Sequence, residues 1–181
     1  MGLRTHDGLT YMHYKKTPLW PFGFGLSYTN WSLALSGGSK LKATTAGLAT
    51  AYTDYYSENG LSAAPLAWLS ATVRNTGSRT DDVVVQVFAT LTSGLPAGAP
   101  SAPLRQLVGF ARAAAIAAGG SREVSVGLAP LALCTARANS NHMADGGSWR
   151  LDATVDGVTM VPASLTVTGP TVRVFAWPTQ D

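Results

Sequence analysis

A single cysteine, Cys134, stands in 181 residues, so no internal disulfide forms, and no zinc site arises without histidine or carboxylate help. The three histidines do not supply it. His6, His13 and His142 have no second His or Cys at metal-ligand spacing, so the sequence implies no metal and no cofactor. Charge is scarce at 13%, about half the usual fraction. The net +3 is scattered along the chain, with Lys15-Lys16 the only basic pair. Nucleic-acid binding needs a clustered basic face, so this class is set aside. No apolar run approaches the ~20 residues that span a bilayer. The opening residues, MGLRTHDGLTYMHYKK, show no leader-type hydrophobic stretch and no myristoylation pattern.

What is present is period-two alternation from about Trp68 onward. Leu69, Ala71 and Val73 alternate with polar residues up to an Asn75-Thr76-Gly77 turn. In DDVVVQVFATL, Val83, Val85, Val87, Ala89 and Leu91 make one apolar face, while Val84, Gln86, Phe88 and Thr90 make a mixed one. Val124 and Val126, then Trp149, Leu151, Ala153 and Val155, then Leu165 and Val167 continue the series. Short half-buried strands punctuated by Gly, Pro and Asn predict an antiparallel β-sandwich. Leu69, Ala71, Val73, Val83, Val85, Val87, Val124, Val126, Trp149, Leu151 and Val155 are its expected shared core. Two segments are less regular. Residues 36–66, with Tyr52, Tyr55 and Tyr56, read as a long connection holding at most a short strand. ARAAAIAAGG (111–120) has alanine-rich helix propensity, yet reads as an irregular strand, because an eight-residue helix is marginal alone.

The densest signal is Thr17 to Thr29, TPLWPFGFGLSYT, with four aromatics, two prolines, two glycines and no charge. It is too apolar for a solvated loop and too punctuated for a helix. GLTYMHYKKTPLWPFGFGLSYTNW resembles the segment of glycoside hydrolase family 3 enzymes that joins their second catalytic-region domain to a C-terminal fibronectin type III-like domain. Pro21 to Tyr28 is the most specific part. LSATVRNTGSRTDDVVVQVFATL is similar to that domain's strand–turn–strand. Pro103, Leu107, Gly109 and Phe110 match its following motif, and DGGSWRLDATVDG its last Gly-rich turn and strand.

The resemblance implies an all-β, immunoglobulin-like (fibronectin type III-like) sandwich preceded by an irregular junction. Residues 1–30 are then the junction, 31–168 the sandwich with 36–66 as its long connection, and 169–181 a C-terminal extension. It further implies a non-catalytic accessory domain bracing the catalytic region of a β-glucosidase or β-xylosidase. The partner would be catalytic domains upstream, which this sequence does not contain, and a polysaccharide is a second partner. Parents of this kind are extracellular or secretory. A free-standing carbohydrate-binding or adhesion module is the alternative, and retardation on insoluble glucan or xylan would favour it.

Chemistry within the chain is sparse. Retaining glycoside hydrolysis needs two carboxyl groups about 5 Å apart. Asp7, Asp54, Glu58, Asp81, Asp82, Glu123, Asp145, Asp152, Asp156 and Asp181 form no such pair by spacing, so no catalytic residue is assigned. Adjacent Asp81 and Asp82 would point to opposite sheet faces. Ser27 is no nucleophile elbow, because Thr29 stands where a second glycine is required. Asn30-Trp31-Ser32 is a formal glycosylation acceptor at Asn30. Trp20, Phe22, Phe24 and Tyr28 have two readings, a sugar-stacking platform or anchors at an interdomain seam. On the seam reading, the sandwich covers Leu26 and Tyr28, and Trp20, Phe22 and Phe24 stay most exposed.

Overall fold

The computed structural model describes residues 8–56, 64–97 and 99–175, with the side chains of 53–56 outside the description. Three strands, β1 (Trp31–Leu35), β3 (Trp68–Asn75) and β6 (Ser121–Gly127), form one antiparallel sheet in the order β1-β3-β6. The facing sheet runs β2-β10-β9-β4-β5, from β2 (Lys40–Thr44), β10 (Val161–Thr168), β9 (Gly147–Thr154), β4 (Asp81–Ser93) and β5 (Gln106–Ile116). All its neighbours are antiparallel except the edge strand β2, which runs parallel to β10. The chain is an all-β sandwich. Its core is the expected set: Leu69, Ala71 and Val73 of β3 and Val124 and Val126 of β6 meet Val83, Val85 and Val87 of β4 and Trp149 and Leu151 of β9. Val155, just past β9, is only partly buried and packs at the edge of this cluster.

The alanine-rich run is an irregular strand, and its irregularity is specific. Between the pairs Asp81↔Ile116 and Val83↔Ala113, β5 advances three residues while β4 advances two. The extra residue makes a bulge. Ala115 sits there at φ 52°, and its N–H donates to Asp82 Oδ1 at 2.6 Å. A left-handed alanine costs about 1 kcal/mol or more. Ala115→Gly should therefore raise stability by about 0.5–1 kcal/mol, a gain of roughly 1–4 °C in thermal melting. An unchanged or lowered melting temperature would deny the bulge.

Residues 36–66 differ from expectation, since they contain β2 and a helix, α1 (Thr45–Tyr56). Thr44 Oγ1 accepts the Gly47 N–H at 3.0 Å, an N-terminal cap. Leu48 and Tyr52, four apart, share the buried face. The Gly, Thr and Ala content hid this amphipathic pair. Tyr55 and Tyr56 carry side chains outside the description. α1 packs beside a small sheet ordered β11-β8-β7, from β11 (Val172–Phe175), β8 (His142–Ala144) and β7 (Thr135–Ala136). Part of the expected C-terminal extension is thus a strand, while 176–181 lie outside the described residues.

Candidate functional site

The outer face of the five-stranded sheet carries the N-terminal segment. Phe88, on the mixed face of β4, is 1% exposed because that segment covers it. Tyr11 and Phe22 stack on each other, ring centres 4.1 Å apart and nearly parallel, and both meet Phe88 edge-on at about 6 Å. The Arg105 guanidinium lies 4.6 Å over the Phe88 ring and donates to the Phe22 carbonyl at 3.1 Å. Tyr11 Oη accepts the Leu107 N–H at 3.0 Å. This is local packing within the domain.

The turn after Phe22 fits by the lack of side chains. Gly23 lies over Gln86, where a Cβ would fall 2.1 Å from Oε1, and a Cβ on Gly157 would strike Gly23 C at 2.5 Å. Phe24 N–H donates back to Pro21 O at 3.0 Å, closing the turn. Ser27 Oγ then accepts the Trp31 indole N–H at 3.0 Å and donates to Asp81 Oδ2 at 2.8 Å. Thr29 Oγ1 donates to Asn75 Oδ1 at 2.6 Å. Between Pro21 and Thr29 the segment is tied to the sandwich at Gly23, Ser27 and Thr29.

The expected order of exposure is reversed. Leu26 is 94% and Tyr28 86% exposed, against 65% for Trp20 and 44% for Phe22. Phe24 is half-buried and stacks with Trp20 at 4.7 Å. The reason is Phe88: a large apolar residue on an outer sheet face recruits the aromatics nearest it. Leu26 and Tyr28 flank Ser27, whose hydroxyl makes the hydrogen bonds, and their side chains stay in solvent. Asn30 is exposed at the entry to β1.

The described carboxylates are each held by a structural partner. Asp82 contacts the Arg112 guanidinium and the Ala115 N–H, and Ser36 donates to Glu123 at 2.9 Å. Asp145 is buried, with Arg137 donating to both oxygens at 2.7 Å and Thr135 and Thr171 completing the set. Arg150 Nε donates to Asp152 at 2.9 Å. Asp7, Glu58 and Asp181, like the Asp54 side chain, lie outside the described residues. Asp81 and Asp82 both titrate below the usual carboxylate range. The Ser27 hydroxyl and the Asp82 N–H lower Asp81; the Ala115 N–H and Arg112 lower Asp82. Cys134 goes the other way, to about 12, through burial and the nearby Asp145 charge, which leaves a neutral thiol. Tyr52 Oη and His142 Nδ1 lie 2.8 Å apart, and no metal-holding cluster occurs among the described residues.

Asp156 shapes the turn after β9. Burial pushes its carboxyl up, but the Val158 and Thr159 N–H groups and the Thr159 and Thr154 hydroxyls outweigh it and hold it below the usual range. A carboxyl lowered on folding stabilises above its unfolded pKa of about 3.9, and that stabilisation is lost as pH falls through the folded value. Asp156→Asn should therefore flatten the fall in melting temperature between about pH 5 and 3. Parallel pH profiles for variant and wild type would refute this.

Comparison with known proteins gives the lineage. No family model matches the chain. A probable exo-1,4-β-xylosidase from Aspergillus flavus is 30% identical over 189 aligned positions, covering 100% of this chain and 23% of that protein. A second probable exo-1,4-β-xylosidase, from Aspergillus oryzae, is 30% identical over 91% of the chain. A solved family 3 exo-β-xylosidase superposes with TM-score 0.81 at 25% identity, covering 99% of this chain and 23% of that one. The chain corresponds to a small part of glycoside hydrolase family 3 proteins. It spans less than a quarter of the length of the curated relatives it matches. A Listeria innocua β-glucosidase, at TM-score 0.62 and 20% identity, shares the fold. The glycine of the Gly109-Phe110 motif gains a physical reading as well. A Cβ on Gly109 would fall 2.2 Å from Gly127 O, so β5 and the end of β6 cross at backbone contact.

Proposed function

We propose that the chain acts as a non-catalytic accessory domain of a family 3 glycoside hydrolase, at the C-terminal side of catalytic domains that hydrolyse β-xylosides or β-glucosides. The observation that carries this reading is the state of the carboxylates. Those described are each committed to a hydroxyl, a backbone N–H or an arginine within the domain. Retaining hydrolysis needs two of them free across a gap of about 5 Å, and inverting hydrolysis two across a wider one. The exposed Leu19, Leu26 and Tyr28 support docking, because large apolar side chains left in solvent on one segment suit an interface. In this reading the N-terminal segment has two sides: Tyr11 and Phe22 anchor it to the sandwich, and Leu26 and Tyr28 face the catalytic region.

The test is hydrolysis of 4-nitrophenyl β-xyloside and β-glucoside by the purified chain. No turnover above blank is expected. Turnover that disappears when any one carboxylate of the chain is replaced by its amide would overturn the accessory reading.

A further inference from the structure

A cleft of about 480 Å³ opens between the N-terminal segment and the outer sheet face. That lies within the ~300–1,000 Å³ usual for small-molecule sites. Tyr14, Trp20, Phe22, Thr90, Arg105 and Arg150 line it, and no carboxylate is among its lining residues. Thr90 brings the two arginines together. It pairs with Arg150 across β4 and β9, while its hydroxyl donates to the carbonyl of Leu104, next to Arg105, at 3.0 Å.

Arg150 is held at the base of its guanidinium, through Nε to Asp152 at 2.9 Å. Arg105 is held through one terminal Nη2–H to the Phe22 carbonyl and lies over the Phe88 ring. Those bonds use one N–H of each, and a guanidinium has five. Two pre-oriented forks beside one cleft match a planar oxyanion held by charge-assisted, bidentate hydrogen bonds. The walls add a second demand. Stacking on Phe24 fixes one face of Trp20 and leaves 65% of the residue in solvent, and Tyr14 is exposed beside the same cleft. An acidic protein side chain or inorganic phosphate would use the arginines alone. A ring with an apolar face and a carboxylate uses both.

We propose that this cleft binds a carboxylate-bearing sugar, a uronic acid residue, with Arg105 and Arg150 on the carboxylate and Trp20 and Tyr14 against the ring. The site is separate from Leu26 and Tyr28 and does not rest on the accessory reading, since it needs neither hydrolysis nor docking. The experiment is an NMR titration of the whole chain at low salt, following the Trp20 indole N–H identified by its absence in Trp20→Phe. D-glucuronate should shift it saturably with a dissociation constant on the order of millimolar. D-xylose, acetate, N-acetylaspartate and phosphate should each bind about tenfold more weakly or not at all. Raising salt from about 0.01 to 0.2 M should weaken glucuronate several-fold. Arg150→Gln should weaken it about tenfold. Trp20→Ala, at an exposed position, should do so in a chain that melts like wild type, read from a reporter resonance on Arg105.

Four results overturn the proposal. Equal binding of xylose would remove the arginines from recognition. Equal binding of acetate or N-acetylaspartate would make the cleft a receptor for an acidic side chain. Equal binding of phosphate would make it a general anion site. Absence of any saturable shift would leave no site.

Discussion

Val85→Asp is expected to abolish cooperative folding. Val85 is fully buried at the centre of β4, between Ala111 of β5 and the facing sheet. An aspartate there loses the ~1.5–3 kcal/mol of valine burial and places a carboxylate where no donor waits. The sum of these costs approaches the 5–15 kcal/mol by which a domain is stable. Val84→Asp, one residue away on the outer face and 38% exposed, should cost less than about 1 kcal/mol. Circular dichroism melts of the pair read the strand register directly, because a one-residue slip exchanges the faces. Equal melting would place β4 out of register. Gln86 is a poorer control than its polarity suggests, because its Oε1 is sealed beneath Gly23.

Asn75→Ala is the second large effect. Asn75 is fully buried, and its amide donates to Arg79 O at 2.6 Å and Ile116 O at 2.9 Å. Its Oδ1 accepts from Thr29 Oγ1 at 2.6 Å and Gly77 N–H at 3.1 Å. Its backbone exchanges hydrogen bonds with Gly119 and Gly120 at the β5–β6 turn. One side chain therefore ties together the turn after β3, the end of β5 and the entry of the N-terminal segment. Removing it strands the buried Ile116 carbonyl and three part-buried groups, at up to about 1–3 kcal/mol each, so a loss of about 3 kcal/mol is expected. For a chain of this size that lowers the melting temperature by roughly 6–12 °C. Asn75→Asp separates hydrogen bonding from packing, since it keeps the shape and loses both donors. A nearly neutral Asn75→Asp would show that the two carbonyl contacts carry no stability.

These two sites show what was legible in the sequence. The β4 alternation is a period-two pattern, and it places Val83, Val85 and Val87 inside without any knowledge of neighbours. Asn75 was visible only as turn chemistry, because its partners Thr29 and Ile116 lie 46 and 41 residues away. The helix Thr45–Tyr56 escaped for a related reason. Its buried stripe rests on Leu48 and Tyr52, and small polar residues around them blur the 3.6-residue period. The N-terminal aromatics stand out in the sequence, but which of them turn inward does not. Phe88 lies 66 positions beyond Phe22 and sits on what reads as a mixed face, so nothing local marks it as the residue that draws Phe22 and Tyr11 inward. The arginine cleft was illegible for the same cause: Arg105 and Arg150 line one cleft only because Thr90 pairs with Arg150 and bonds the carbonyl next to Arg105.

On the proposed reading, the sandwich braces a catalytic region through the outward side of its N-terminal segment. Thermal melting of a family 3 xylosidase catalytic region, truncated of its matching sandwich and mixed with this chain, tests it most directly. Saturable stabilisation by the wild-type chain is expected, with loss of that stabilisation in Leu26→Ser/Tyr28→Ser although the variant chain melts as wild type does. A catalytic region whose melting is indifferent to the chain, or that responds equally to wild type and variant, would contradict the account.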